Sequence, residues 1–159
     1  MKKVLFMCIN MNIGGTEKSL ISMLNEIQVE KYDITILMLE KKGGFLNQIP
    51  KNVNIKYVHE YKHLKKYINE PMPKLIKNFI KDRKYIHAVN LAIIYFITKI
   101  SGNINYYYKY LLKNVEVLEN EYDLAVAYAG PMDLISYFIL NKVRAKKRAQ
   151  WIHFDIEKI

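Results

Sequence analysis

Apolar positions in the first sixty residues fall into two alternating patterns. Val4 to Ile9 is an unbroken apolar run that stops at Asn10. A run of that length without alternation suits a strand buried on both faces. After Gly14 and Gly15, Leu20, Ile21, Leu24 and Ile27 recur at helical spacing and predict a helix starting near Thr16. Thr16 can cap that helix, and Glu17 places an acid in its first turn, where the helix dipole favours it. Tyr32-Asp33 then leads into a second apolar run, Ile34 to Leu39. Phe45 to Ile49 predicts one short helical turn, and Asn52 to Val58 alternates as a third strand. Strand, helix, strand, short helix, strand is the opening of a parallel α/β domain with right-handed crossovers.

From Tyr61 to about Glu121 the spacing turns helical. Leu75, Ile76, Phe79 and Ile80 form an apolar face with lysines between them, and Ala88 to Ile97 is almost uniformly apolar. The latter is shorter than the ~20 residues a membrane span needs, which predicts a buried or interfacial helix. The α/β rhythm returns with a second Tyr-Asp pair, Tyr122-Asp123, before a predicted strand over Leu124 to Tyr128. Ala129-Gly130-Pro131 predicts a turn into a helix from Met132 to Asn141, with Pro131 suited to its first turn. A last strand is predicted over Ala149 to Ile152, after Lys146-Lys147-Arg148 and before His153. The fold class is α/β: one Rossmann-like three-layer domain over 1–159 with a mostly parallel sheet, plus a helical insertion at about 61–121.

Charge changes this picture in the middle of the chain. The net charge is +10, yet residues 1–61 hold 8 Lys/Arg against 6 Asp/Glu, and 115–159 hold 6 against 7. Residues 62–114 hold 11 against 2. A basic excess gathered on one segment implies an anionic partner more strongly than an even spread would. Solvated faces of ordinary helices are the plainer alternative. Lysines interleaved with Leu, Ile, Phe and Tyr also suit a helix lying on anionic lipid. Nucleic acid is the weaker anionic partner, because no nucleic-acid motif accompanies the tyrosines. The single cysteine, Cys8, falls inside the first strand and rules out a disulfide framework or a cysteine metal cluster. An intracellular, reducing location fits, and Met1-Lys2-Lys3 runs straight into the strand with no small-residue cleavage site of a signal peptide.

Candidate chemistry follows from the sheet. In open parallel sheets, ligands bind beyond the carboxyl ends of the strands. Asn10 to Gly15, Glu40 to Gly44, Tyr128 to Pro131 and His153 to Asp155 are predicted to meet there. Gly14 and Gly15 can take positive φ and expose backbone N–H groups at a helix N-terminus, which suits a phosphate or a sugar hydroxyl. A turn whose glycines only satisfy geometry remains the alternative. The chain has no G-x-G-x-x-G, and Lys18-Ser19 follows Glu17 rather than glycine, so neither a dinucleotide fingerprint nor a phosphate loop is present.

These residues together resemble the N-terminal domain of the group 1 (family 4) retaining glycosyltransferases of the GT-B fold. The likeness rests on Asn12-Ile13-Gly14-Gly15-Thr16-Glu17, Tyr32-Asp33, Pro50-Lys51-Asn52-Val53, Glu121-Tyr122-Asp123 and Trp151-Ile152-His153-Phe154-Asp155. It covers 1–60 and 120–159 and is weak between them. The resemblance implies sugar transfer from a nucleotide-sugar to a glycan or glycolipid acceptor of the cell envelope or capsule, without a metal ion. It implies that Gly14, Gly15 and Thr16 approach the donor phosphates and acceptor, that His153 contacts the donor sugar as the catalytic residue, and that Asp155 belongs to the same site. It further implies a second, C-terminal donor-binding domain with a Glu-x7-Glu motif, which 1–159 lacks. The chain is therefore expected to be an acceptor-side domain, inactive alone, cytoplasmic and peripheral at the inner membrane face. A non-catalytic Rossmann-like module that binds a sugar or nucleotide is the alternative. A nucleotide-sugar epimerase is disfavoured by the missing G-x-G-x-x-G.

Overall fold

The computed structural model describes residues 1–28, 30–128 and 133–153, with the side chain of Asp133 left aside. In chain order the elements are β1 (Lys2–Cys8), α1 (Gly15–Glu26), β2 (Tyr32–Met38), a 3-10 turn (Leu46–Gln48) and β3 (Asn54–Tyr57). Four helices follow: α2 (Tyr61–Asn69), α3 (Met72–Lys81), α4 (Tyr85–Ser101) and α5 (Asn105–Leu111). The chain then returns through β4 (Leu118–Ala127), α6 (Asp133–Lys142) and β5 (Val143–Gln150). Two compact units result: Met1–His59 with Glu116–Ile159, and Glu60–Val115.

The first unit is a five-stranded sheet in the order β3-β2-β1-β4-β5, with every pair parallel. The predicted α/β class and Rossmann-like layering are both present. The unbroken apolar runs have their expected cause. Val4, Phe6 and Cys8 of β1 and Ile34, Ile36 and Met38 of β2 pack with Leu20, Ile21 and Leu24 of α1. The alternate residues Leu5, Met7 and Leu37 are equally buried. Buried Leu134, Ile135, Phe138 and Ile139 belong to α6, which lies against β1, β4 and β5. Each fully buried large apolar side chain contributes about 1.5–3 kcal/mol. That exceeds the roughly 1 kcal/mol of a helix cap, and α1 indeed forms with no side-chain cap.

Several local expectations are corrected. The N-cap of α1 is Gly14, so Thr16 lies inside the first turn and does not cap it. β4 starts at Leu118, six residues before the predicted Leu124, because its early part pairs irregularly with β5 near Leu118 and Glu121. β5 starts at Val143, so Lys146, Lys147 and Arg148 lie within the strand and not before it. An edge strand tolerates such a polar sequence, and its lysines discourage pairing with another chain. The turn predicted at Ala129-Gly130-Pro131 lies outside the described residues.

Both Tyr-Asp pairs tie neighbouring strands together, Tyr32-Asp33 at the start of β2 and Tyr122-Asp123 within β4. Asp33 accepts a hydrogen bond from Asn54 Nδ2 at 2.8 Å, joining β2 to β3. Asp123 accepts from the backbone N–H of Lys3 at 2.9 Å and pairs with Lys146 at 2.7 Å, joining β4 to β1 and β5. Lys146 and the Lys3 amide together hold the Asp123 carboxyl below the ordinary carboxylate value.

The second unit is helical. Tyr107 of α5 donates to the Tyr67 carbonyl of α2 at 2.6 Å, and the Phe79 ring of α3 meets Tyr67 of α2 and His87 of α4. Burial pushes the Tyr107 hydroxyl well above its usual pKa. α3 ends in a Schellman turn: Lys84 N–H bonds the Phe79 carbonyl and Arg83 N–H that of Ile80. Arg83 takes the left-handed conformation there, at φ 57°, in the place glycine usually occupies.

Candidate functional site

In this sheet β1 leads outward to β2 on one side, and β4 leads to β5 on the other. The order therefore reverses between β1 and β4, and the carboxyl ends of those two strands form the crevice where such sheets bind ligands. Gly14, Gly15 and Thr16 stand at the start of α1, just beyond β1. Tyr128 follows β4 directly, and His153 lies three residues past β5. Of the predicted residues, the described ones, Gly14, Gly15, Thr16, Tyr128 and His153, share one edge.

Tyr128 ties the edge together. Its N–H bonds the Met7 carbonyl at 2.8 Å and extends the β4–β1 pairing by one residue. The side chain is fully buried, its ring edge-on to Phe6 at 5.9 Å and its hydroxyl 3.4 Å from Ser19 Oγ on α1. Burial raises the pKa of that hydroxyl, with the Ser19 contact opposing. Trp151 N–H bonds the Ala127 carbonyl at 2.9 Å, carrying the chain past β5. His153 then packs edge-on against the Tyr128 ring at 4.5 Å, and its Nε2 lies 3.0 Å from the Tyr128 carbonyl oxygen. A carbonyl oxygen only accepts, so Nε2 carries a proton, and in the neutral form the lone pair sits on Nδ1. Half-buried His153 is thus held in one tautomer, and Trp151, half exposed, stacks on it at 6.3 Å. Asp155 lies outside the described residues.

The glycine turn differs from expectation in its backbone. Gly14 is extended, at φ −156° and ψ 166°, and Gly15 is already helical. Neither uses positive φ. What glycine provides is space: a Cβ on Gly15 would meet no protein atom within 4 Å. No side chain caps α1, and Lys18 N–H bonds the Gly14 carbonyl at 3.0 Å to close its first turn. The N–H groups ahead of it lie at the positive end of the helix dipole with no side-chain cap. Over Gly14 lies the Glu17 carboxylate, close enough that a Cβ there would sit 2.5 Å from Oε2. Deep burial, and to a lesser extent the same acid, push the Cys8 thiol up to about 12, which keeps it protonated and inert.

Sequence reasoning treated Lys41 to Gly44 only as a loop at this edge and missed what Gly43 does. Gly43 does take positive φ, 130°, and a Cβ there would lie 1.9 Å from the backbone carbon and oxygen of Met11. The loop is bonded to the glycine turn by Met11 N–H to the Lys42 carbonyl at 2.9 Å and Phe45 N–H to the Met11 carbonyl at 3.0 Å. Gly43 therefore fixes the path of Asn10 to Gly15. Its signal was available, since a Gly-Gly pair after a lysine pair at a strand end is a turn of special geometry. Tyr128 carried none, being one more large residue at the end of an apolar run.

Among the described residues, no group of three or more His, Cys, Asp or Glu could hold a metal ion. The edge instead offers an uncapped helix start, a fixed imidazole and an exposed indole, a set suited to an anionic, hydroxyl-bearing ligand. Comparison with family models, with curated proteins and with solved structures finds no match for this chain.

Proposed function

We propose that this chain is the acceptor-side domain of a retaining glycosyltransferase. In this reading the whole protein moves a sugar from a nucleotide-sugar to a cell-envelope or capsular acceptor, a polysaccharide or a lipid-linked glycan. The observation that carries the reading is the meeting, through Tyr128, of α1 and a tautomerically fixed His153 at the switch point of the sheet. The backbone N–H groups at Gly15 and Thr16, at a helix start with no side-chain cap, would stabilise the negative charge that builds on a departing nucleoside diphosphate. His153 Nδ1 would accept a hydrogen bond from a hydroxyl of the transferred sugar and fix the reacting carbon beside the leaving group. A donor-binding second domain completes the site in this reading, so 1–159 alone turns nothing over.

The test begins with the coding sequence beyond Ile159. Roughly 200 further residues with a second Rossmann-like pattern and two glutamates eight apart are expected. The protein so encoded should release nucleoside diphosphate from one of a panel of nucleotide-sugars, and His153→Ala should lower kcat about a hundredfold. A stop codon after Ile159, together with saturable binding of a sugar or nucleotide by 1–159, would replace this reading with that of a non-catalytic binding module.

A further inference from the structure

α4 has two apolar faces and only one of them is buried. Ala88, Leu91 and Thr98 face inward. On the opposite side Ile86, Val89, Ile93, Phe96, Ile97 and Ile100 are all exposed, from 39% at Ile97 to 85% at Ile100. At about 100° per residue these six, with Tyr85 at the helix start, fall within an arc of about 120° that contains no charged residue. The stripe runs for about 21 Å along the helix. An uninterrupted exposed apolar stripe of this size on a water-facing helix marks an interaction surface.

The flanks say what kind. Exposed Lys81, Arg83 and Lys84 precede the stripe, and exposed Lys99 lies just outside its arc near the other end. They belong to the segment 62–114, with 11 basic residues against 2 acidic. We propose that α4 lies along an anionic lipid surface, with the Ile86–Ile100 stripe immersed among the acyl chains and the lysines at the headgroups. A second copy on the same face would bring two strongly basic segments together, which charge repulsion opposes. A convex face of one helix, aliphatic except for Phe96 and Tyr85, offers no groove and almost no polar group to fix a protein partner's register. Lipid requires neither. No helix among the described residues is long and apolar enough to cross a membrane, so α4 would lie in the interface and not span it. The proposal is independent of sugar transfer and can fail without affecting it.

The experiment is sedimentation of the full chain with vesicles of phosphatidylglycerol and phosphatidylcholine in equal parts, against pure phosphatidylcholine. Binding to the anionic vesicles is expected, and Ile93→Glu/Phe96→Glu should lower the partition coefficient at least tenfold with the far-UV circular dichroism unchanged. Lys81→Gln and Lys84→Gln should each lower it about fivefold at low salt. Phe96→Trp should add fluorescence quenched by lipids brominated along their acyl chains, above the background of Trp151. Vesicle binding indifferent to Ile93→Glu/Phe96→Glu would overturn the proposal, as would no added quenching in Phe96→Trp. So would a dimer in sedimentation velocity that the same double variant dissolves, because the stripe would then be a contact between copies.

Discussion

The two units treat apolar residues in opposite ways. In the sheet unit, the strands β1 and β2 bury both faces, with α1 on one side and α6 in the layer behind. Sequence and burial agree there because a central parallel strand has nowhere else to put a side chain. In the helical unit, α4 is as apolar as those strands, yet half of its apolar positions face solvent. A run of apolar residues therefore means core only where the backbone geometry closes both sides. On a helix the same composition leaves a face whose burial depends on something outside the chain.

That contrast is broken most severely at the sheet. Gly43→Ala forces a Cβ against the Met11 backbone at a positive φ, and the loop cannot hold its present path. A loss of about 3 kcal/mol is expected, read from the midpoint of urea unfolding. Phe138→Ala empties a fully buried position on α6 and should cost about 3–5 kcal/mol. Indifference at Gly43 would mean that the 40–45 loop does not brace the glycine turn.

Within the helical unit the comparison can be made on one helix. Leu91 is fully buried and Ile93 is half exposed, two residues away. Leu91→Ala should cost about 2–5 kcal/mol, whereas Ile93→Ala should stay within about 0.5 kcal/mol. Equal losses would show that the Ile93 face is covered in the folded chain and would remove the distinction between the units.

How far the sequence could be read follows the same line. Strands β1 and β2, helix α1 and the site edge were legible because unbroken runs, helical spacing and a glycine turn each have one cheap structural solution. The limits of β4 and β5 were not, since Glu119, Glu121 and Lys146 to Arg148 look like loop residues and become strand only through pairing with a neighbour. For α4, spacing alone left buried and interfacial readings open, and the structure buries one face and exposes the opposite one. Thr16 was misread as a cap because a threonine before a helical pattern usually is one. Here an uncapped Gly14 suffices, with packing of Leu20, Ile21 and Leu24 holding the helix. His153 was placed at the right edge, but the carbonyl that fixes its tautomer belongs to a residue 25 positions away.

A gentler variant separates space from structure at the site. Gly15 lies in the first turn of α1, and its missing side chain faces nothing. Gly15→Ala should therefore stabilise the fold by about 0.5–1 kcal/mol, the helix preference of alanine over glycine. If a donor phosphate uses that space, the same variant lowers kcat/KM of the whole enzyme at least tenfold. Stabilisation with unchanged turnover would leave Gly15 as a turn residue only.

The smallest effect lies at the opposite edge of the sheet, where Asp123 links β4 to β1 and β5. Its folded-state pKa is depressed by Lys146 and by the Lys3 amide. A depressed carboxylate contributes stability above its unfolded value and loses it as pH falls through the folded one. The Lys146 ammonium is shifted the other way, upward by the Asp123 bond, so its share is present below its unfolded value and fades as pH rises through the raised one. The link should therefore act fully between about pH 5 and 9 and weaken outside that range. Both groups are solvent-accessible, so the effect is modest. Asp123→Asn should lower the unfolding midpoint slightly at pH 7 and differ less from the unaltered chain at pH 3. A gap that persists at pH 3 would mean that the side chain links β4 to its neighbours by hydrogen bonding alone, with its charge contributing nothing.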